Sequence, residues 1–357
     1  MISIEFLTTI ATLAFVYAMA NQLLNIEAGW GGMWDLGIAG LIAVGAYSYV
    51  LLTTATDAYT PGLGLPVLVG MLGAGVITGL VALVIGWPAL RLRGEYFLIT
   101  TFAFAEILRQ LIIINRDLTG GTFGLTSVTK PLEAEFTFEA YPYVRLVLAI
   151  VLTGVIWMIC SRIATSSYGA SLRAARDNEP LAMAMGKSIK TLRLSTYAFV
   201  GLLAGLFVGP AYAWFLGALV PSIFTSSLTF TIWAGLVIGG IGSRFGPILG
   251  ALTLTAVSEL VRLIEVSPQH ANWLSAVHPL LVGVLLIAVL RWRPDGLLSE
   301  RATFARLRRR YAPQRSSTGH MPRSHHHLRE SGYERPNYLR LGDHRGLQDV
   351  RWPQGVA

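Results

Sequence analysis

Of the 357 residues, 53% are hydrophobic and only 13% charged, against roughly 25% charged in an ordinary soluble domain, which excludes a soluble globular enzyme. Residues 1–290 hold 14 basic and 14 acidic side chains and residues 291–357 hold 14 and 6, so the whole net charge of +8 sits in the tail. A neutral apolar body with a basic end matches a cytoplasmic membrane face better than a nucleic-acid partner.

A bilayer-crossing helix needs about 20 mostly apolar residues, because lipid offers backbone N–H and C=O groups no partners. The N-terminus, MISIEFLTTI, has Glu5 and no Lys or Arg before its apolar run, so it reads as a retained first span rather than a cleavable signal. Uncharged runs follow in order: Phe6–Ile26, Leu36–Thr56, Ala58–Leu90, Leu194–Ser243 and Val266–Leu290. At 50 residues, the fourth must hold two passes, or one pass and a re-entrant hairpin. Three shorter or interrupted candidates lie near 95–114 (with Glu106 and Arg109), 144–161, and 246–264 (with Glu259 and Arg262). The expected fold is therefore an all-α polytopic transmembrane bundle of eight to ten hydrophobic elements, some broken or re-entrant, over residues 1–298. Residues 299–357, rich in Arg, His, Pro, Ser and Gly, should form a disordered cytoplasmic tail.

Basic residues set the orientation. Arg91 and Arg93, the group from Arg162 to Arg193, Arg244, and Arg291 with Arg293 mark four cytoplasmic segments; the acidic stretch 115–142 falls outside. Nine full crossings would put the N-terminus outside, and a re-entrant element would reverse that. High glycine content, 31 of 37 within residues 1–290, fits close helix packing and backbone that unwinds beside a cavity. The lone cysteine, Cys160, lies in an apolar run and excludes a disulfide framework.

Chemical motifs are few. Gly186-Lys187-Ser188 mimics the end of a phosphate loop, but position 181 is Leu where that pattern needs Gly. The glycines from Gly239 to Gly250 suit a sharp turn with Arg244 at its tip. His320 and His325–His327 sit in the tail, and His270 and His278 form no metalloprotease spacing. No catalytic residue, metal site or cofactor is expected. Intramembrane charges are costly: Glu106 with Arg109 and Glu259 with Arg262, each three apart, can pair on their own helices. Asp35 has no neighbouring cation in sequence, which makes it the better pathway or broken-helix residue.

The polar segment 168–193 lies between two spans and is too polar to cross. Asp177 or Asn178 can cap a short helix there, Pro180 suits its first turn, and Gly186 can end it. Leu181 and Met185 share one face of that helix, which is too short to be stable alone and must dock on the chain's own helix ends or in a groove of another subunit.

Several segments together resemble one family: RLRGEYFLITTFAFAEILR (91–109), TGGTFGL (119–125), SLRAARDNEPLAMAMG (171–186), GGIGSRFGPILGA (239–251) and RPDGLL (293–298). They look like the permease subunits of branched-chain amino acid ABC importers, nearer the LivM type, over roughly residues 20–298. The resemblance implies a permease subunit of a bacterial inner-membrane importer. It implies two ATP-binding subunits, a sister permease or second copy, and an extracytoplasmic substrate-binding protein as partners, with ATP hydrolysed on the partners. It makes 168–190 the cytoplasmic coupling loop, with Arg173, Arg176, Asp177, Glu179, Leu181, Met185 and Gly186 docking the ATPase. Pathway positions expected on this reading are Asp35, Gly37, Tyr96, Thr100 and Glu106. Where the family shows Ser-Leu-Gly followed by His or Gln, this chain has Asp35-Leu36-Gly37-Ile38. Branched-chain amino acids are the expected cargo, with urea, short amides or another small polar metabolite as the alternative. A stand-alone transporter driven by an ion gradient through Asp35 and Glu106 is the competing mechanism.

Overall fold

The computed structural model describes residues 4–56, 62–92, 94–133, 135–137 and 139–262, with short pieces between 283 and 298. Most of the expected last span and the whole tail from 299, with His270, His278 and the side chain of Arg262, lie outside the described residues.

The first span, α1 (Ile4–Leu24), runs without interruption into a π-helical turn, Asn25–Trp30, and stops at Gly31-Gly32. After a loop, α2 (Ile38–Thr53) returns. Next comes α3 (Val67–Ala89), which starts after Pro66 and so is shorter than the apolar run that contains it. Helix α4 (Gly94–Ile114) leads through the single turn α5 (Arg116–Thr119) and a long loop to α6 (Tyr141–Thr165). The polar segment folds as α7 (Ser167–Asp177) and α8 (Glu179–Ala184). Of the 50-residue run, α9 (Ile189–Leu203), the π turn Ala204–Val208 and α10 (Gly209–Leu216) make one pass, and α11 (Ser226–Gly239) makes the next. The π turn has a local cause: Pro210 has no N–H for the Leu206 carbonyl four residues back. Last comes α12 (Gly246–Arg262).

Among the described residues, Ile4–Trp30, Val67–Ala89, Glu95–Ile114, Tyr141–Thr165 and Ile189–Leu216 are long and apolar enough to cross a membrane, and α2 and α11 are shorter apolar helices. Burial divides them. The whole stretch Ala18–Trp30 is buried, as is most of α2, whereas α4 and α6 turn rows of Ile, Leu, Val and Phe outward. The first span and α2 are thus the axis around which the other helices pack.

Side chains from α2 hold the loop end opposite the α7–α8 segment. Tyr49 Oη donates to Thr129 O at 2.7 Å, Thr54 Oγ1 to Ser127 O at 2.7 Å, and Tyr47 Oη to Leu219 O at 3.1 Å, while Leu125 and Leu219 form an antiparallel bridge. At the core, α2 crosses the 204–208 turn so closely that a Cβ on Gly45 would lie 2.6 Å from Gly205 Cα. Only glycine fits such a backbone approach. Gly45→Leu should therefore lower the thermal unfolding midpoint of the detergent-solubilised protein, at a cost of about 1–3 kcal/mol or more. Gly154→Leu, where a new Cβ meets nothing within 4 Å, should leave it unchanged.

Candidate functional site

The α7–α8 segment is built by caps. Ser166 Oγ accepts Gly169 N at 3.2 Å to start α7, and Asn178 Oδ1 accepts Leu181 N at 3.0 Å to start α8, so the cap is Asn178 rather than Asp177. Pro180 sits in the first turn, and Gly186, at φ +79°, closes the segment in the left-handed region. The sequence pointed to one two-turn helix; the structure adds the longer α7, whose buried side is Gly169, Leu172 and Ala175.

This segment docks on the chain's own bundle by one face. Tyr168 Oη lies 2.8 Å from both Ser195 Oγ and Thr196 Oγ1 on α9, and Ala175, Ala182 and Ile189 form a small buried cluster. Arg173 Nη1 donates to Ala164 O at 3.0 Å, Glu179 pairs with Arg193 at 3.1 Å, and Asp177 pairs with Arg176 Nε at 2.9 Å. Arg176 also donates to the Gly29 carbonyl in the π turn that ends the first span. Arg173, Arg176 and Glu179 thus brace the platform from within. The other face is open: Leu181 is 58%, Met183 53% and Met185 73% exposed, an apolar edge on an otherwise polar segment.

Beneath the platform lies the break itself. Asn25 Oδ1 accepts Gly242 N at 2.7 Å while its Nδ2 donates to Ser243 O at 2.9 Å, and Trp30 Nε1 donates to Gly242 O at 3.0 Å. Asp35 is fully buried; its Oδ1 accepts Gly37 N at 2.7 Å, and its carbonyl accepts Trp233 Nε1 at 2.7 Å. Trp34 stacks on Trp233 at 5.2 Å, and Leu36 N donates to Thr101 Oγ1. The carboxyl of Glu27, also fully buried, faces that of Asp35. Platform, break and the α11–α12 turn thus form one hydrogen-bonded unit.

The expected pathway residues do not converge. Asp35 and Gly37 lie in this unit, and Thr100 is half-buried on α4. Tyr96 is 60% exposed on the outward side of α4, and Glu106 is exposed there, held by Arg109 Nε at 3.0 Å and by Gln110 Nε2 at 3.1 Å. A separate cavity of about 320 Å³ lies where α1, α11 and α12 meet. Tyr17, Thr231, Ser258 and Glu259 line it beside Leu13 and Leu254, and Thr255 Oγ1 lies there buried with no hydrogen-bond partner among the described residues. Hydroxyls, a carboxylate and leucines suit a small solute with a polar end and an aliphatic part.

A family model described as the permease component of branched-chain amino acid transport systems matches residues 6–290. The chain belongs to this family. Among its relatives, the high-affinity branched-chain amino acid permease protein LivM of Escherichia coli is 31% identical over 315 residues, 81% of this chain and 69% of the relative. A probable LivM of Methanocaldococcus jannaschii is 26% identical over 84% of this chain and 95% of its own length. The autoinducer 2 import permease LsrC of Yersinia enterocolitica is 26% identical over 69% of this chain and 66% of the relative. No solved structure matches.

Sequence reasoning about this permease missed Glu27, Asn25 and Trp233. Asn25 and Trp233 sit in apolar runs and meet partners about 200 residues or more away, and Glu27, at the end of such a run, meets one across a break that no periodicity marks. The Asn25 clamp is directly testable. Asn25→Ala leaves Gly242 N–H and Ser243 C=O without their partner and should cost about 2 kcal/mol or more, read as a lower unfolding midpoint in detergent, while Asn25→Asp should keep the Gly242 contact and lose less.

Proposed function

We propose that this chain is the membrane permease of an ATP-driven importer that moves branched-chain amino acids inward, with ATP hydrolysed on two partner subunits. The observation that carries the reading is the α7–α8 platform. One face is tied through Arg176 to the π-helical end of the first span, and the other presents Leu181, Met183 and Met185 with nothing among the described residues to cover them. A groove on an ATP-binding subunit is the cover that family membership supports. Movement there would pull on the Gly29 carbonyl and, through Asn25, Trp30 and Trp233, on α11 and α12, which wall the cavity.

The segment from Arg162 to Arg193, with Arg91, Arg93 and Arg244, carries nine of the 14 cations of residues 1–290, so this end faces the cytoplasm of a bacterial inner membrane on the positive-inside rule. The cargo, handed over outside by a substrate-binding protein, would meet the cavity of Tyr17, Thr255 and Glu259. Its leucines favour an aliphatic amino acid; the import of autoinducer 2 by a relative favours a small polar metabolite as the second reading.

A sister permease or second copy would cover α4. That helix is the least buried of the five long spans, and its outward side carries Tyr96 and the Glu106–Arg109–Gln110 cluster, which lipid would penalise. Thr100 would border the same contact.

The complex reconstituted with its ATPase subunits and binding protein should take up radiolabelled leucine only with ATP. Leu181→Asp with Met185→Asp should cut ATPase copurification and uptake about tenfold or more; uptake that continues without ATPase subunits would overturn the reading. For α4, Ala103→Cys, exposed on the same side, should crosslink to a second permease chain in membranes, since the native Cys160 is buried. A monomeric product would remove α4 from that contact.

A further inference from the structure

At the end of the bundle that carries the platform, a second cavity of about 470 Å³ opens where the last turn of α3 meets the first turns of α9. Among the described residues, Gly86, Trp87, Leu90 and Leu194 form its apolar wall, and Arg91 and Lys190 are its charged residues, with no carboxylate in the lining. The Arg91 guanidinium stands 5.5 Å from the centre of the Trp87 ring, over its face. Trp87 is 58% exposed, at the end of a helix long enough to span the bilayer, the level at which tryptophan settles between headgroups and hydrocarbon. From there an exposed row, Leu80, Leu83, Val84 and Trp87, continues along α3 into the span at helical spacing.

Two cations beside an apolar slot, continued by a greasy track into the membrane, match an amphiphile with a negative head and a hydrocarbon tail. An acidic side chain from a protein partner would satisfy Arg91 and Lys190 but would leave the Leu80–Val84 track without a use. We propose that the α3–α9 groove holds one anionic phospholipid, its phosphate between Arg91 and Lys190 and an acyl chain along Leu80, Leu83 and Val84. This assignment needs only that the chain spans a membrane, not that it carries any particular cargo. Its consequence is mechanical. Lys190 lies in the first turn of α9, four residues after Gly186, so the bound headgroup fixes the point where the platform rejoins the membrane.

The test uses the chain with its copurifying subunits in nanodiscs of phosphatidylcholine with and without phosphatidylglycerol, the retained lipid being counted by native mass spectrometry after detergent transfer. Wild type should keep phosphatidylglycerol in preference to phosphatidylcholine. Arg91→Gln with Lys190→Gln should reduce retained phosphatidylglycerol about tenfold or more, since each cation near an anionic headgroup adds about fivefold to binding. Leu194→Trp, which fills the apolar wall and leaves both cations, should reduce it as well, and Lys190→Gln alone, at an exposed position, serves if the double variant does not fold. Unchanged phosphatidylglycerol in the Lys190→Gln and Leu194→Trp variants overturns the proposal. So does a double variant that keeps the lipid but sheds the ATPase subunits, which would give these cations to a protein contact.

Discussion

The organisation of this permease depends on one constraint: inside a bilayer, backbone N–H and C=O groups must be satisfied by protein. A continuous helix meets it without help, and α3, α4 and α6 do so. The end of the first span does not: it changes to π geometry at Asn25, stops at Gly31-Gly32 and leaves a non-helical stretch before α2, whose polar groups need side chains brought from elsewhere. Thr101, Trp233 and Arg176, from α4, α11 and α7, are those side chains, while Asn25 and Trp30 of the π turn bond in return to the α11–α12 turn. Helix packing follows from this need. The break draws α11 and α12 against α1, seats α7 over the Gly29 carbonyl, and keeps the axis of the bundle free of lipid.

The same arrangement supplies a route for coupling. A straight span would pass beneath a moving platform unaffected. A span whose π-helical end is held by hydrogen bonds to both platform and inner helices would shift when either does.

The spans were legible because the signal for them is coarse: twenty apolar residues read the same in any context, and Pro66 and Pro210 shift only where a helix starts or bulges. The Glu106–Arg109 pair was legible from its spacing, since a helix places residues three apart side by side. Asn178, Pro180 and Gly186 announced α8 for an equally local reason. Asp35 was legible as a break but not as a buried group, because its partners, Gly37 apart, come from other helices. The cavity of Thr255 and Glu259 was not legible at all, since it lies between three helices and no single one displays it. Spacing along one helix predicts contacts within that helix, and the inner site is made between helices.

The hydrogen bonds that complete the first span also impose an order in time. Asn25 and Trp30 find their partners at Gly242 and Ser243, between 212 and 218 residues further along the chain. At synthesis rates of roughly 5–20 residues per second, the first span waits about ten to forty seconds before those partners have been made. Throughout that interval a segment with Asn25, Glu27 and Asp35 must be kept from the lipid by something other than its final neighbours. The biogenesis of this protein is therefore expected to rely on the insertion machinery as a temporary polar lining, and to fail first where residence beside that machinery is cut short.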